Sequence, residues 1–259
     1  MMIAQTPENH PMGFTMHRIF DPGGGDAAER ELFPDLDHIF EIDGEIVSGG
    51  RLCQTVRISA GGRVYYVKRY RAEGKHRWKA FGRSRPLAEY RNLAYFEQLG
   101  IPVPRVVAYG TERTLGLFRR GTIVTEAVPQ ATDLQTLVRT QPDLFLDRTW
   151  MFQVLRLLAG YVRRLHDDGF THGDLKWRNI LATTTETPRV YLIDCPSGSR
   201  KLPPRHKHFV IKDLASLDKM AARHLSRTTR LRFYLWYSNQ TRLTPKDKRL
   251  IAKVLTHGG

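Results

Sequence analysis

Cys53 and Cys195 are the only two cysteines in this chain of 259 residues. One pair cannot build a disulfide framework or a cysteine zinc site, so a reducing compartment is the expected setting. No apolar run reaches the roughly 20 residues that a membrane-spanning helix needs, and the opening residues hold no signal-peptide core. If a membrane is involved, the protein is expected to lie on it. Acidic residues are also in deficit: 26 Asp and Glu face 41 Lys and Arg, a formal net charge of +15. A field of that sign favours a polyanionic neighbour, whether nucleic acid, an anionic membrane face or a phosphorylated substrate. Internal repeats and low-complexity tracts are missing too. What remains is a globular composition, 41% hydrophobic and 10% aromatic, with length enough to bury a core in one large domain or two lobes.

Along the chain, Met1 to about Leu36 shows no clear periodicity and includes Gly23-Gly24-Gly25. Residues 1–36 are therefore expected to be a flexible lead-in. From Phe40 the pattern turns to strands: Glu45 to Val47, Leu52 to Ile58 and Val64 to Tyr70, separated by Ser48-Gly49-Gly50 and Gly61-Gly62. That reads as a three-stranded meander. A helix follows over Pro86 to Phe96, then short strands near Val106 to Tyr109 and Gly121 to Thr125. Between the meander and that helix, Lys75 to Arg85 sets cations around Trp78 and Phe81, a pattern suited to an anionic surface or to plain solvation. Beyond Thr125, helical spacing dominates. Met151, Leu155, Leu158, Val162 and Leu165 form the stripe of a long helix from Thr149 to Asp168. Pro196 to Lys212 is expected to be a short basic segment, and Asp213 to His224, Leu231 to Tyr237 and Pro245 to Leu255 are expected to be helical. The organisation predicted is a sheet-rich lobe over 37–126 and a helical lobe over 127–259.

The helical part carries the strongest chemical signal. His172-Gly173-Asp174-Leu175-Lys176-Trp177-Arg178-Asn179 is followed, after a short hairpin, by Tyr191-Leu192-Ile193-Asp194. A lone Asp and Asn in a loop often satisfy local backbone groups and nothing more. Here a strand-like run delivers a second aspartate, and the combination is the catalytic-loop pattern of kinase-like folds. Phosphoryl transfer asks little covalent chemistry of a protein. It needs a carboxylate on the incoming hydroxyl, cations on the phosphates and oxygen ligands for a hard metal ion. Asp174 suits the first task, Lys176 the transferred phosphoryl, and Asn179 with Asp194 suit Mg²⁺.

The sheet-rich part supplies matching candidates. Lys68, at the end of the third strand, is placed to reach the α- and β-phosphates of ATP. Glu89 on the next helix is its expected ion-pair partner, with Glu97 as the substitute; an exposed-cleft pair of this kind should add little to stability. Gly49-Gly50 forms a turn able to lie over phosphates. Backbone groups of Glu126 and Val128, near the crossing between lobes, suit an adenine. His172 is expected to serve structure, not proton transfer, and Leu231, Tyr234 and Leu235 to lie in the core.

With these residues in view, the chain resembles the lipopolysaccharide core sugar kinases (Kdo/WaaP type) of the protein-kinase-like superfamily. The resemblance covers roughly Glu45 to Tyr237. It is carried by Val67-Lys68, Ser84-Arg85-Pro86-Leu87-Ala88-Glu89, Gly100-Ile101-Pro102-Val103-Pro104, His172-Gly173-Asp174, Ile193-Asp194 and Lys212-Asp213-Leu214-Ala215. It implies an α+β, two-lobed fold: a small antiparallel sheet with one main helix, then a mostly helical lobe. It also implies ATP and Mg²⁺ as cofactors, phosphorylation of a heptose or Kdo hydroxyl, and a peripheral location at the cytoplasmic face of a Gram-negative inner membrane. The implied partners are the anionic lipopolysaccharide core and that membrane, with no nucleic acid. Gly173 stands where regulated protein kinases carry an arginine that reads a phosphorylated loop, so that switch is expected to be absent. Cys195-Pro196 departs from the usual residues after the metal-binding aspartate, which bears on the acceptor. Two other readings share the loop: an antibiotic or small-molecule kinase, and an inactive kinase scaffold that only binds. Lys176 and the basic surroundings disfavour a cationic drug as acceptor, and the joint presence of Lys68, Asp174, Asn179 and Asp194 disfavours an inactive scaffold.

Overall fold

A computed structural model describes residues 16–21, 25–50, 52–72 and 84–257. Most of the Lys75–Arg85 run, together with Gly23 and Gly24, lies outside the described residues. The chain forms two compact units, one of Met1–Arg91 with Pro104–Val128, the other of Asn92–Val103 with Pro129–Gly259. The sequence-expected boundary at 126/127 falls two residues early. It also misses the excursion of 92–103, whose Asn92, Phe96 and Pro102 bond or pack with residues of the second unit.

In the first unit, β1 (Met16–Asp21), β2 (Glu45–Gly49), β3 (Cys53–Ala60), β4 (Arg63–Arg71), β5 (Val106–Thr114) and β6 (Leu117–Glu126) make one sheet in the order β1-β5-β6-β4-β3-β2. All five pairings are antiparallel. Strand β4 shows how the two-residue period divides labour. Tyr65 and Val67 join Phe33, Ile39, Val56 and Val124 in the core. Lys68 and Tyr70 point the other way, to Glu89 of α3 (Arg85–Gln98).

Two short helices, α1 (Ala27–Leu32) and α2 (Leu36–Glu41), belong to the Phe33–Ile39 side of that core. Asp26 and Glu29 form a capping box at the start of α1, and Asp35 caps α2 through the His38 amide at 2.8 Å. Glu29 is 2% exposed and also accepts from the Tyr65 hydroxyl at 3.0 Å, from Arg63 at 3.2 Å and from Arg105. The buried Arg69 guanidinium donates to the carbonyls of Ile39 (2.8 Å) and Ile42, closing the end of α2. Residues 16–41 thus carry a strand and two short capped helices where a flexible lead-in was expected to residue 36, and α3 remains the one main helix beside the sheet. Helices this short leave no periodic stripe to read. Their caps and the buried Phe33, Leu36 and Ile39 define them instead.

The second unit is helical: α4 (Leu134–Thr140), α5 (Arg148–Asp167), α6 (Arg205–His224), α7 (Arg227–Ser238) and α8 (Pro245–His257). Helix α5 packs on α7, and α6 on α8. The five stripe residues of α5 are all buried, each contributing about 1.5–3 kcal/mol by leaving water. Short strands β7 (Ala131–Asp133), β9 (Ile180–Thr183) and β10 (Val190–Leu192) form a sheet in the order β10-β9-β7, and β8 (Phe170–Thr171) pairs with β11 (Ser199–Arg200). Helix α6 starts at Arg205, so half of the expected basic segment is helix. Of Leu231, Tyr234 and Leu235, only Tyr234 is fully core; Leu231 is exposed and Leu235 half-buried.

Candidate active site

The catalytic-loop candidates lie within the second unit, between β8 and β10. Its frame is set from beneath by a buried carboxylate. Asp213 of α6, 1% exposed, accepts the His172 amide at 2.7 Å and the Gly173 amide at 2.9 Å. His166 Nε2 lies 3.3 Å from the same carboxylate, and its Nδ1 lies 2.9 Å from the Tyr237 hydroxyl. Gly173 has φ of 80° and Ser197 close by, a left-handed conformation that a side chain would strain. Asp213 was quoted in the sequence only as part of a family motif; its task of holding two loop amides emerges from the fold. The His172 ring is wholly buried beside Phe96. Burial lowers its pKa against the opposing pull of Asp213, Asp194 and Asp174, so the imidazole stays neutral.

Asp174 is the point on which the loop converges. Lys176 Nζ lies 2.6 Å from Oδ1, Arg178 lies 3.4 Å from Oδ2, and the Asn179 amide donates to the Asp174 carbonyl at 2.8 Å and to Oδ2 at 3.2 Å. Burial works to raise the Asp174 carboxyl, but the hydrogen bond and charge of Lys176, with Arg178 and Asn179, outweigh it and hold it below the ordinary value. It is an ionised acceptor at neutral pH. Asn179 spends Nδ2 on Asp174, and its Oδ1 makes no hydrogen bond among the described residues. The Asn179 backbone carbonyl accepts from the Ile193 amide at 3.1 Å, tying the loop to the residue before Asp194.

Asp194 is one of four non-glycine residues with positive φ among the described residues. Leu115 sits at a hairpin tip, Gln130 in a turn and Asn239 at a helix C-cap. Asp194, at 56°, follows β10 with no such reason. A strained conformation retained outside a turn points to a task for the side chain. The segment after it is held by Asn92, whose amide donates to the carbonyls of Cys195 (2.6 Å) and Gly198 (3.0 Å). Gly198 has no room for a side chain, since a Cβ there would sit 2.3 Å from Cys195 Sγ. Asn92 was not singled out from sequence. Its signal was a polar residue on the buried face that Glu89, Leu93 and Phe96 define.

In the first unit, Lys68 Nζ lies 2.6 Å from Glu89 Oε1, and the Tyr70 hydroxyl donates to Oε2 at 2.7 Å. Glu97 is exposed. Glu89 is 2% exposed and Lys68 only 20%, so this pair is not the exposed one expected. Gly49 ends β2, and the Gly50 amide is used inside the turn, donating to Cys53 O at 2.9 Å. The Glu126 amide is likewise taken by Arg105 O at 2.9 Å, and its carboxylate by Arg105 Nε at 2.9 Å. The Val128 amide makes no hydrogen bond among the described residues.

The oxygen donors Asn179 and Asp194 suit a hard cation, which commonly takes one or two protein oxygens and completes its shell with phosphate and water. Among the described residues no group of three or more His, Cys, Asp or Glu could hold a metal ion by itself.

Residues 44–249 match the family model described as the lipopolysaccharide kinase (Kdo/WaaP) family. Among curated proteins, a 3-deoxy-D-manno-octulosonic acid kinase of Haemophilus influenzae is 34% identical over 122 residues, 46% of this chain and 48% of that protein. One from Actinobacillus succinogenes is 36% identical over 113 residues, 43% and 44% of the two chains. The chain therefore matches about half the length of these relatives. A solved structure described as WaaP in complex with acyl carrier protein has a TM-score of 0.64 at 21% identity, covering 90% of this chain and 96% of that one. That likeness shows a shared, protein-kinase-like fold.

Proposed function

The chain belongs to the lipopolysaccharide kinase (Kdo/WaaP) family, and from that premise we propose that it transfers the γ-phosphoryl of ATP to a sugar hydroxyl of the lipopolysaccharide inner core. The acceptor sugar inferred is Kdo, because the relatives matched are 3-deoxy-D-manno-octulosonic acid kinases; heptose is the alternative that product analysis separates. The observation that carries the reading is the convergence of Lys176, Arg178 and Asn179 on one ionised carboxylate, Asp174. Asp174 accepts the proton of the incoming hydroxyl, and Lys176 balances charge on the transferred phosphoryl. Lys68, held by Glu89, meets the α- and β-phosphates. The β2–β3 turn at Gly49-Gly50 covers phosphate, with the Gly50 amide already engaged inside it. The adenine falls to the Val128 amide and the Glu126 carbonyl. Asn179 Oδ1 and the Asp194 carboxylate would hold Mg²⁺, which when bound neutralises charge on the phosphate oxygens. The protein works at the cytoplasmic face of the inner membrane, where its lipid-linked acceptor is made. Among the described residues no helix is long and apolar enough to cross a membrane, and a peripheral enzyme needs none.

The test is incubation of the purified chain with ATP, Mg²⁺ and a Kdo-bearing lipid A acceptor, followed by mass spectrometry of the released sugars. Phosphate on Kdo, absent with Asp174→Asn, is the expected result. Unmodified sugar, or an undiminished rate in Asp174→Asn, overturns the reading.

A further inference from the structure

The start of α6 and the end of α8 bring two lysines and two histidines to one cleft of the second unit. Lys207 and His208 come from α6, and Lys253 and His257 from α8. With Pro204, Ile211 and Thr256 they line a shallow cleft of about 440 Å³. The rings of His208 and His257 meet edge to face, their centroids 5.6 Å apart. No carboxylate lines the cleft, and none pairs with these four among the described residues. The two lysine ammoniums share the cleft without a counter-charge and the imidazoles add N–H donors, so the arrangement is most favourable with an anion among them.

Next to the cleft in sequence, the chain turns through Lys201-Leu202-Pro203-Pro204-Arg205 before α6 begins. Leu202 is 82% exposed, the most exposed large apolar side chain among the described residues. An apolar tip flanked by cations, beside a cleft lined by more of them, fits the boundary of an anionic bilayer. The leucine enters the acyl edge and the cations meet headgroup phosphates. A soluble anion would fill the cleft but leave Leu202 unexplained. An acidic protein would answer the charge, yet nothing in so small an apolar tip provides the buried core that a protein interface needs.

We propose that this face, Leu202 together with Lys207, His208, Lys253 and His257, docks the protein on an anionic bilayer by receiving lipid headgroup phosphates in the α6–α8 cleft. It rests on the reading of the chain as a lipopolysaccharide kinase only in explaining why a bilayer is met; the docking itself needs no catalysis. None of the five residues belongs to the candidate active site.

The test is co-sedimentation of the full chain with vesicles of phosphatidylethanolamine and phosphatidylglycerol, and with neutral phosphatidylcholine vesicles. Lys207→Gln with Lys253→Gln should weaken partitioning to the anionic vesicles by roughly 30-fold, since each cation near an anionic leaflet contributes about fivefold. The loss should fade as salt rises. Leu202→Ser should weaken the binding that survives high salt. Arg139→Gln with Arg148→Gln, on α4 and at the start of α5, removes the same charge elsewhere and should cost far less. Equal losses for the two double variants would mean that only net charge matters, and would overturn the site. So would a parent that ignores anionic vesicles, or a Lys207/Lys253 variant that binds them undiminished while losing an acidic protein partner. Transfer to a soluble, delipidated core acceptor, measured on the same preparations, separates the two readings. Full transfer without vesicle binding sinks the docking alone, whereas vesicle binding by a chain that never transfers phosphate sinks the kinase reading.

Discussion

Asp174 and Lys176 sit two residues apart, and their chemistry is coupled. Lys176 contributes most of the pull that offsets burial and keeps the Asp174 carboxyl below its usual value. Asp174→Asn removes the proposed proton acceptor and is expected to lower kcat by about 10²–10⁴-fold with ATP binding retained, read by single-turnover transfer and by nucleotide titration. Lys176→Met removes the stabilising charge, so the Asp174 pKa rises. The form that accepts a proton is the ionised one, so the acid limb of the kcat/KM profile should move to higher pH. An unmoved limb would assign that limb to another group. The pair Lys68–Glu89 makes a different prediction from the one its sequence suggested. Because Glu89 is buried, Lys68→Met strands a carboxylate that keeps, among the described residues, the Tyr70 hydroxyl as its donor. The cost expected is about 1–3 kcal/mol in urea denaturation. Adding Glu89→Gln should restore much of that stability and none of the transfer. This separation tells a phosphate-positioning lysine from a purely structural one.

At the scale of elements, α6 anchors the start of the loop from His172 to Asn179, through the Asp213 carboxylate. Asp213→Asn leaves one acceptor oxygen for two amides, and about 1–3 kcal/mol of stability should go with the lost charged hydrogen bond. Faster hydrogen exchange at His172 and Gly173, ahead of any change in α8, is the signature expected. How legible were these elements in the sequence? Helix α5 was, because five buried residues repeat on one face over 20 residues. The β2–β3–β4 meander was, because glycine pairs punctuate alternating strands. Helices α1 and α2 were not: six residues each are too few for a periodic stripe, and their stability comes from caps and from Glu29, which bonds partners at positions 63, 65 and 105. The extension of α6 back to Arg205 was missed because a run of Arg, His and Lys reads as loop when nothing apolar marks its phase. Asn92 was missed because a polar residue in a helix declares its purpose only when the carbonyls of Cys195 and Gly198 are seen beside it.

Across the whole molecule, the +15 charge is not evenly silent. Much of it in the first unit is consumed by ion pairs, such as Arg63 and Arg105 on Glu29 and Arg120 on Glu112. The hydrogen bond from Arg105 leads the causes that hold the Glu29 carboxyl low, outweighing its burial. A depressed carboxyl stabilises the fold above its unfolded-state pKa of about 4.3 and loses that contribution as pH falls through the folded value. Glu29→Gln should therefore cost about 1–3 kcal/mol at neutral pH, at the low end because both arginines reach solvent. The difference from the parent should shrink in denaturation curves taken at progressively lower pH in the acid range. A difference that stays constant would place the effect in packing and not in charge.

Residue order alone determined the chemistry on offer: a carboxylate, a lysine and an asparagine at fixed spacing, a second aspartate after a strand, and a lysine before a helix glutamate. Spacing along a chain decides which side chains a short loop or one strand can present, and so those choices were readable. Tertiary structure decided the rest. It buried the Lys68–Glu89 pair expected in an exposed cleft, withdrew the amides of Gly50 and Glu126 by bonding them within the first unit, and set Asp194 in a left-handed conformation. It also gave Asp213 the two amides of His172 and Gly173, at a distance of about 40 residues in sequence. The physical reason is the same in each case. Burial and hydrogen-bond satisfaction are settled among groups far apart in the chain, and no local pattern records who those partners are.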